Sequence, residues 1–346
     1  MTSDIRRRGR WLAAGLCAPL LASACTLASA ENPVVFAGTG GSMNEALRTA
    51  AFEPLREREG VTVLDDSPNN EAKLKAMVDS GHPTWDVFYS SPYRSIAMCG
   101  KLFEKIDYSV VDRSALDPST VSPCGVPFIK SAFLLVYNRK KYGDRPPRSW
   151  ADYYDTRRFP GRRGIMNYAK DAGMETALLA DGVRPDRLYP LDYARAFRKL
   201  DTIREDLTFF TTGAQQTQAL ETGQIDMMLA WPGRAYDAKR NGADLGVTWN
   251  GALRYSDTLS VVKGSKHKDR AMRLINQIVS APAQTALAQA LPYTPANTAA
   301  RPAPTPLLRE FMPSYHTGGT VVSRDNGWWA RNLDEATRQW TTWANS

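Results

Sequence analysis

Residues 217–232 read TQALETGQIDMMLAWP and residues 72–92 read AKLKAMVDSGHPTWDVFYSSP. Each runs from a helical stretch through a glycine to an aspartate that opens a short apolar run and is followed six residues later by a proline. Asp86 leads to Pro92 in this way and Asp226 to Pro232. Both read as helix, strand, then a tight turn at the strand's carboxyl end. Ligands of open α/β sheets bind outside the carboxyl ends of the strands, so the two turns are candidate walls of one cleft. The second turn continues as LAWPGRAY, Leu229–Tyr236, which sets Trp231 and Arg234 at that wall.

The flanking chain carries the same alternation. NPVVFAGTGGSMNEALRTAAFEPLREREGVTVL reads as strand (Val34 to Phe36), glycine turn, helix and strand (Val61 to Leu64). Ser42 and Glu45 have capping-box spacing, Met43, Ala46, Leu47 and Ala50 share a helix face, and Gly60 ends the helix. Alternating strands and helices predict an α/β layer with a largely parallel sheet. Phe133 to Tyr137 is extended and leads through a basic, proline-rich loop to a helix starting near Ser149. One crossing between two lobes is expected near Asn138. A second is expected in RYSDTLSVVKGSK, from Arg254. Helices DRAMRLINQIVS and APAQTALAQAL follow, then a turn PYTPAN. Trp328, Trp329, Trp340 and Trp343 in the tail read as helix-packing core.

The chain has 346 residues, a formal charge of +8 and 43% hydrophobic residues, the profile of a globular protein with about two domains. Residues 1–30 differ: Arg6, Arg7, Arg8 and Arg10 precede an apolar run from Trp11 to Leu27, and Ala28-Ser29-Ala30 is a cleavage signal. This is a secretory leader, with Cys25 after Ala22-Ser23-Ala24 leaving lipid anchoring as the other reading. Removing four Arg and one Asp from 44 basic and 36 acidic residues leaves 40 against 35, a net of +5. That is too mild to indicate nucleic acid. Cys99 and Cys124 remain in a chain exported to an oxidising space; a disulfide is expected, with two independent buried thiols as the alternative.

Motifs for bond chemistry are missing. There is no G-x-S-x-G, no H-E-x-x-H and no phosphate loop, and His82, His267 and His316 sit in turn-like flanks. No metal or cofactor is expected, and no enzyme, although a secreted enzyme with an unrecognised nucleophile is the rival from another class. The glycine turn GTGG before a helix reads either as plain structure or as amides offered to an anion.

Taken in order, GGSMNEALRTAAFEPLREREGVTV, WDVFYSSP, CGVPFIKSAFLLVYN, SWADYYDTRRFPGRRGI, TGQIDMMLAWPGRAY, SDTLSVVKGSKHKDRAMRLINQIVS and PYTPAN resemble the spermidine/putrescine-binding group of periplasmic solute-binding proteins of ABC importers. The resemblance implies a type II two-lobed α/β protein with two crossing hinge strands and a ligand cleft between the lobes. Lobe 1 would comprise residues 31–138 plus 258–301, and lobe 2 residues 139–257 plus 302–346. It further implies a periplasmic monomer whose partners are a small-molecule ligand and an ABC permease in the inner membrane.

The sequence departs from the polyamine pattern. Its first glycine turn, GTGGSMNE, carries no aromatic residue, while Asp257 matches the family's acid and Trp231 an aromatic. Arg234 would repel a diamine. Arg234 and Asp257 therefore suggest a zwitterion, with a carboxylate on Arg234 and an ammonium on Asp257. This pairing resembles the branch that binds γ-aminobutyrate (GABA); polyamine and 2-aminoethylphosphonate ligands stay open as alternatives. By segment, Ser42, Tyr89, Ser90 and Tyr293 join the expected ligand set, Tyr293 being equally readable as a packed turn tyrosine.

Overall fold

Two long antiparallel strands organise the computed structural model, which describes residues 33–320 and 322–346. The leader and Cys25 lie outside the described residues. Strand β1 is Val34–Ala37, β2 Val63–Asp66, β3 Val87–Ser90, β4 Val126–Asn138 and β5 Arg163–Met166. Then come β6 Leu207–Phe210, β7 Met227–Ala230, β8 Leu245–Val261, β9 Thr294–Pro295 and β10 Val322–Ser323. The main path runs β2-β1-β3-β8-β4-β7-β5-β6, with β10 on β8 and β9 on β4.

β4 and β8 pair from Val126↔Leu259 to Asn138↔Leu245. β3 joins only the last residues of β8, Val87↔Val261 to Ser90↔Thr258, and β7 only the end of β4, Leu134↔Ala230 to Tyr137↔Met227. Each of these strands heads a small parallel group, β3 with β1 and β2, β7 with β5 and β6. The sheet is thus two parallel groups joined by an antiparallel ribbon. β3, β5 and β7 are buried at every residue, which explains why β3 and β7 read as apolar runs; in β5 the buried Arg163 guanidinium donates to the carbonyls of Tyr153, Phe159 and Gly161.

The two segments singled out in the sequence are β3 followed by helix Pro92–Ala97 and β7 followed by helix Pro232–Arg240. Proline opens both helices, where its missing N–H costs nothing. Both strands end beside the middle of the ribbon, so the turns converge there.

Hydrophobic clusters lie on both sides. One gathers Val34, Phe36 and Val87 with Phe128, Leu259, Val261 and the helices Lys268–Val279 and Ala281–Ala290. Another gathers Phe133, Leu135, Ile165, Met227 and Leu253 with Trp328, Trp329, Trp340 and Trp343 of helix Asn326–Ala344. Those tryptophans are packing core, and each of three indoles also donates a hydrogen bond: Trp329 to Glu175, Trp340 to Asn167 and Trp343 to Asp201. Buried indole N–H groups need such partners.

Two local expectations are corrected. Ser42 does not form a capping box; Gly41 occupies the N-cap at φ 60°, and no side chain caps helix Ser42–Leu47. Its hydroxyl is bonded elsewhere, as described below. His267 and His316 are not free in turns: the former lies 3.2 Å from buried Asp86 and the latter stacks on Trp249 at 4.2 Å. Burial lowers the His316 pKa.

Cys99 and Cys124 form a disulfide with Cα atoms 5.4 Å apart, closing a loop of 25 residues. Tethering that loop restricts the unfolded chain by about 3 kcal/mol. Replacing both cysteines by alanine is expected to lower Tm by several degrees in a calorimetric scan. Ligand affinity, measured on the same variant, is expected to stay within about threefold, because the bridge lies in the cluster of Trp85, Phe88 and Phe103, away from the converging turns.

Candidate functional site

Where the turns meet the ribbon, polar groups gather. Alternation along β8 puts Tyr255 and Asp257 on one face, opposite Ser131 and Ile129 of β4. β9 pairs with Ile129 and Lys130, which brings the preceding Tyr293 to the same place. From the end of β3, the Tyr89 hydroxyl donates to Asp257 Oδ2 at 2.8 Å. The Tyr89 ring is fixed edge-on to Phe128 at 5.0 Å.

Burial pushes the Asp257 carboxyl up to about 7, against the lowering effects of the Tyr89 hydrogen bond and of Arg324 and Lys170. A second acid stands near it. Asp171, in the loop after β5, is buried, and burial raises it to about 6. Among the described residues its Oδ2 has no hydrogen-bond partner. Such an unpaired buried oxygen costs about 1 to 3 kcal/mol.

Arg234 occupies the first turn of helix Pro232–Arg240, its side chain 17% exposed. The guanidinium is wedged between glycines. A Cβ on Gly213 would stand 2.4 Å from its Nε, and one on Gly41 3.0 Å from its Nη1. The nearest carboxylate, Asp237, is 4.0 Å away and already accepts from the Ser42 hydroxyl at 2.9 Å, with Arg240 at 3.3 Å. Among the described residues no side chain hydrogen-bonds the Arg234 guanidinium.

Tyr293 stands between the two poles. Its hydroxyl lies so near Gly233 that a Cβ there would approach to 2.4 Å. Burial pushes its pKa up to about 12, with Arg234 pulling down and Asp257 pushing up. Of the expected residues, Arg234, Asp257, Tyr89, Tyr293 and Ser42 are therefore brought together. Trp231 caps helix Pro232–Arg240 through its backbone and packs between two cores, and Ser90 is buried with its hydroxyl on the Ser91 carbonyl at 3.4 Å. Neither side chain bonds to Arg234 or Asp257.

Sequence reading missed Tyr255, Asp171 and Asp237. Tyr255 carried a signal, because a strand residue two positions from Asp257 shares its face. Asp171 carried none, being a loop residue placed only by the packing of β5 against the ribbon.

An open sheet of two parallel groups on a shared ribbon, with a charged cleft at its centre, defines a two-lobed α/β ligand-binding protein. The chain belongs to the bacterial extracellular solute-binding protein family, whose pattern matches residues 50–307. It is 32% identical to the GABA-binding protein of Pseudomonas aeruginosa over 316 residues, 88% of this chain and 89% of that one. It is 24% identical to the spermidine/putrescine-binding periplasmic protein of Escherichia coli over 82% of this chain and 84% of that one. A solved GABA receptor superposes with TM-score 0.82 at 36% identity, covering 90% of this chain and 97% of its own.

Two Agrobacterium tumefaciens proteins of solved structure are each 29% identical to this chain. The one in complex with glucopine superposes with TM-score 0.82, covering 90% of this chain and 99% of its own; the one in an open unliganded conformation reaches 0.65, covering 91% and 100%.

The wedge around Arg234 gives a first test. Gly213 begins helix Gly213–Glu221 with an ordinary backbone, so alanine suits the helix there but displaces the guanidinium. Gly213→Ala is expected to leave Tm unchanged or slightly higher while weakening carboxylate ligands about tenfold or more in calorimetry. A pH titration gives a second. An ammonium ligand needs Asp257 charged, and its raised pKa means protons compete below about 7. Affinity for amines is expected to fall on the order of tenfold from pH 7 to 5.5, with proton release on binding at pH 6.5.

Proposed function

We propose that the chain is the periplasmic solute-binding component of an ABC importer and that it captures a small ω-amino acid, GABA foremost. One observation carries this reading: among the described residues the cleft holds, at one end, a guanidinium that no side chain hydrogen-bonds, 4.0 Å from Asp237, and, at the other, two carboxyls, one with an oxygen that has no hydrogen-bond partner. A zwitterion with its charges at opposite ends satisfies both. The ligand carboxylate takes the planar fork of Arg234, and its ammonium takes Asp257 and Asp171. Tyr89, Tyr255 and Tyr293 wall the alkyl stem and exclude water. The names of the GABA-binding relative and of the solved GABA receptor support this class of ligand, whereas the less similar relative, at 24% identity, is named for polyamines. A polyamine fits less well, because a second ammonium would be placed against Arg234.

Binding is hinge closure without bond chemistry. The hinge is the β4–β8 ribbon; the second division stays at about residue 257, and the first, expected near Asn138, is placed instead at about residue 130. The core clusters support this, since Phe128 and Leu259 pack with the first lobe and Phe133 and Leu253 with the second. Ser42 and Tyr293 reach from the first lobe to Asp237 and Gly233 of the second, so closure also brings protein groups together.

Truncating one partner of a desolvated charge pair costs about 2 to 5 kcal/mol. Arg234→Ala is therefore expected to weaken GABA about thirtyfold or more while leaving putrescine unchanged or tighter. Asp257→Asn is expected to weaken every amine. Calorimetric titration of both variants decides, and undiminished GABA binding to Arg234→Ala removes the assignment.

A further inference from the structure

The helix that precedes β7 holds a polar group that no motif announced. Gln216 lies in helix Gly213–Glu221 and is fully buried. Its Oε1 accepts from the backbone N–H of Trp231 at 3.4 Å. A backbone N–H can only donate, so this contact fixes which end of the amide is oxygen and which is nitrogen. Among the described residues Nε2 has no hydrogen-bond partner.

The place of the free nitrogen follows from the helix. Residues 213, 216 and 217 are spaced to share one face. That face is turned to Arg234: a Cβ on Gly213 would come within 2.4 Å of the Arg234 Nε, and the Thr217 hydroxyl reaches the Arg234 carbonyl at 3.4 Å. Helical side chains lean toward the N-terminus of their helix, so the Gln216 amide extends over the Gly213 turn. Trp231, to which its oxygen is tied, is the N-cap of the helix that carries Arg234. Nε2 is therefore held between the end of β7 and the Arg234 side chain, at the guanidinium end of the cleft.

Serving Trp231 is an incomplete account of this residue. That bond uses only the oxygen, and a buried amide nitrogen with neither N–H satisfied is costly. A carboxylate supplies what is missing. It offers about four lone-pair positions, and the Arg234 fork takes one on each oxygen, which leaves others for a second donor. An ammonium offers none, being a donor itself.

We propose that Gln216 is a further ligand-binding residue, its Nε2 donating to the ligand carboxylate beside Arg234 and selecting ligands whose end there only accepts hydrogen bonds. The inference rests on the two-pole reading given under the proposed function and extends its carboxylate end from one residue to two. Arg234 supplies the charge. Gln216 supplies direction, because its oxygen is tied to the wall that positions it.

The direct test is a crystal structure of the wild-type chain with GABA. Gln216 Nε2 is expected within about 3.2 Å of a GABA carboxylate oxygen. Nε2 found on a buried water or on protein alone overturns the proposal, whatever the affinity. Calorimetric titration of GABA into variants verified as folded gives the energetic counterpart. Gln216→Met removes the donor without adding charge and is expected to weaken GABA about tenfold. Gln216→Glu keeps an acceptor for the Trp231 N–H but puts an acceptor where the free donor stood, so a loss of about tenfold or more is expected. A residue that served Trp231 alone would leave GABA affinity unaltered in Gln216→Glu. Affinity within about threefold of wild type in either folded variant overturns the proposal.

If Gln216→Met does not fold, Gln216→Glu and the crystal structure carry the test. Wild type that binds no ω-amino acid defeats the zwitterion reading as well; wild type that holds GABA on Arg234, with Gln216 Nε2 bonded elsewhere, defeats this inference alone.

Discussion

The antiparallel ladder between β4 and β8 is the constraint on which the rest depends. Ordinary strands of five or six residues belong to one layer. These two run for 13 and 17 residues and serve two layers, each taking a parallel group on a different stretch. The register places β3 on one end of β8 and β7 on the opposite end of β4, so both groups point their carboxyl ends at the ribbon's centre. Ligand chemistry is concentrated there because ribbon and turns supply residues to one small volume.

The cleft keeps opposite charges apart. Arg234 lies 4.0 Å from Asp237, whose Oδ2 accepts from Ser42 and whose Oδ1 stands 3.3 Å from Arg240 but has no hydrogen-bond partner among the described residues, and a Cβ at Gly41 or Gly213 would press on the guanidinium. At the far pole, burial raises the Asp257 carboxyl to about 7 and that of Asp171 to about 6. Under the proposed function a zwitterion would relieve both ends. Differential stabilisation of this kind is what allows a small molecule to shift a hinge equilibrium.

Aromatic residues divide by task. Tyr89, Tyr255 and Tyr293 stand in the cleft with hydroxyls near charge, whereas the tryptophans of the last helix fill a core and satisfy their N–H groups on Glu175, Asn167 and Asp201. Trp329 of that helix also lies 4.9 Å from the buried Arg324 guanidinium, which stands 3.7 Å from Glu175.

Local chemistry made much of this legible from the chain alone. Unbroken apolar runs behind Asp86 and Asp226, each closed by proline, marked β3 and β7 because a strand buried on both faces has no polar alternation to show. Gly60 marked a helix end because it adopts φ 70°, which other residues resist. Arg234 and Asp257 were visible because they lie within those segments and on a crossing strand. Tertiary structure decided the rest, because long-range placement leaves no periodicity. It brought Asp171 from a loop, took Ser42 from a supposed cap to Asp237, and buried Arg324 beside residues more than 60 positions away. Those residues carry no local signature; their roles come from the charges they meet once the ribbon has set the two halves in register.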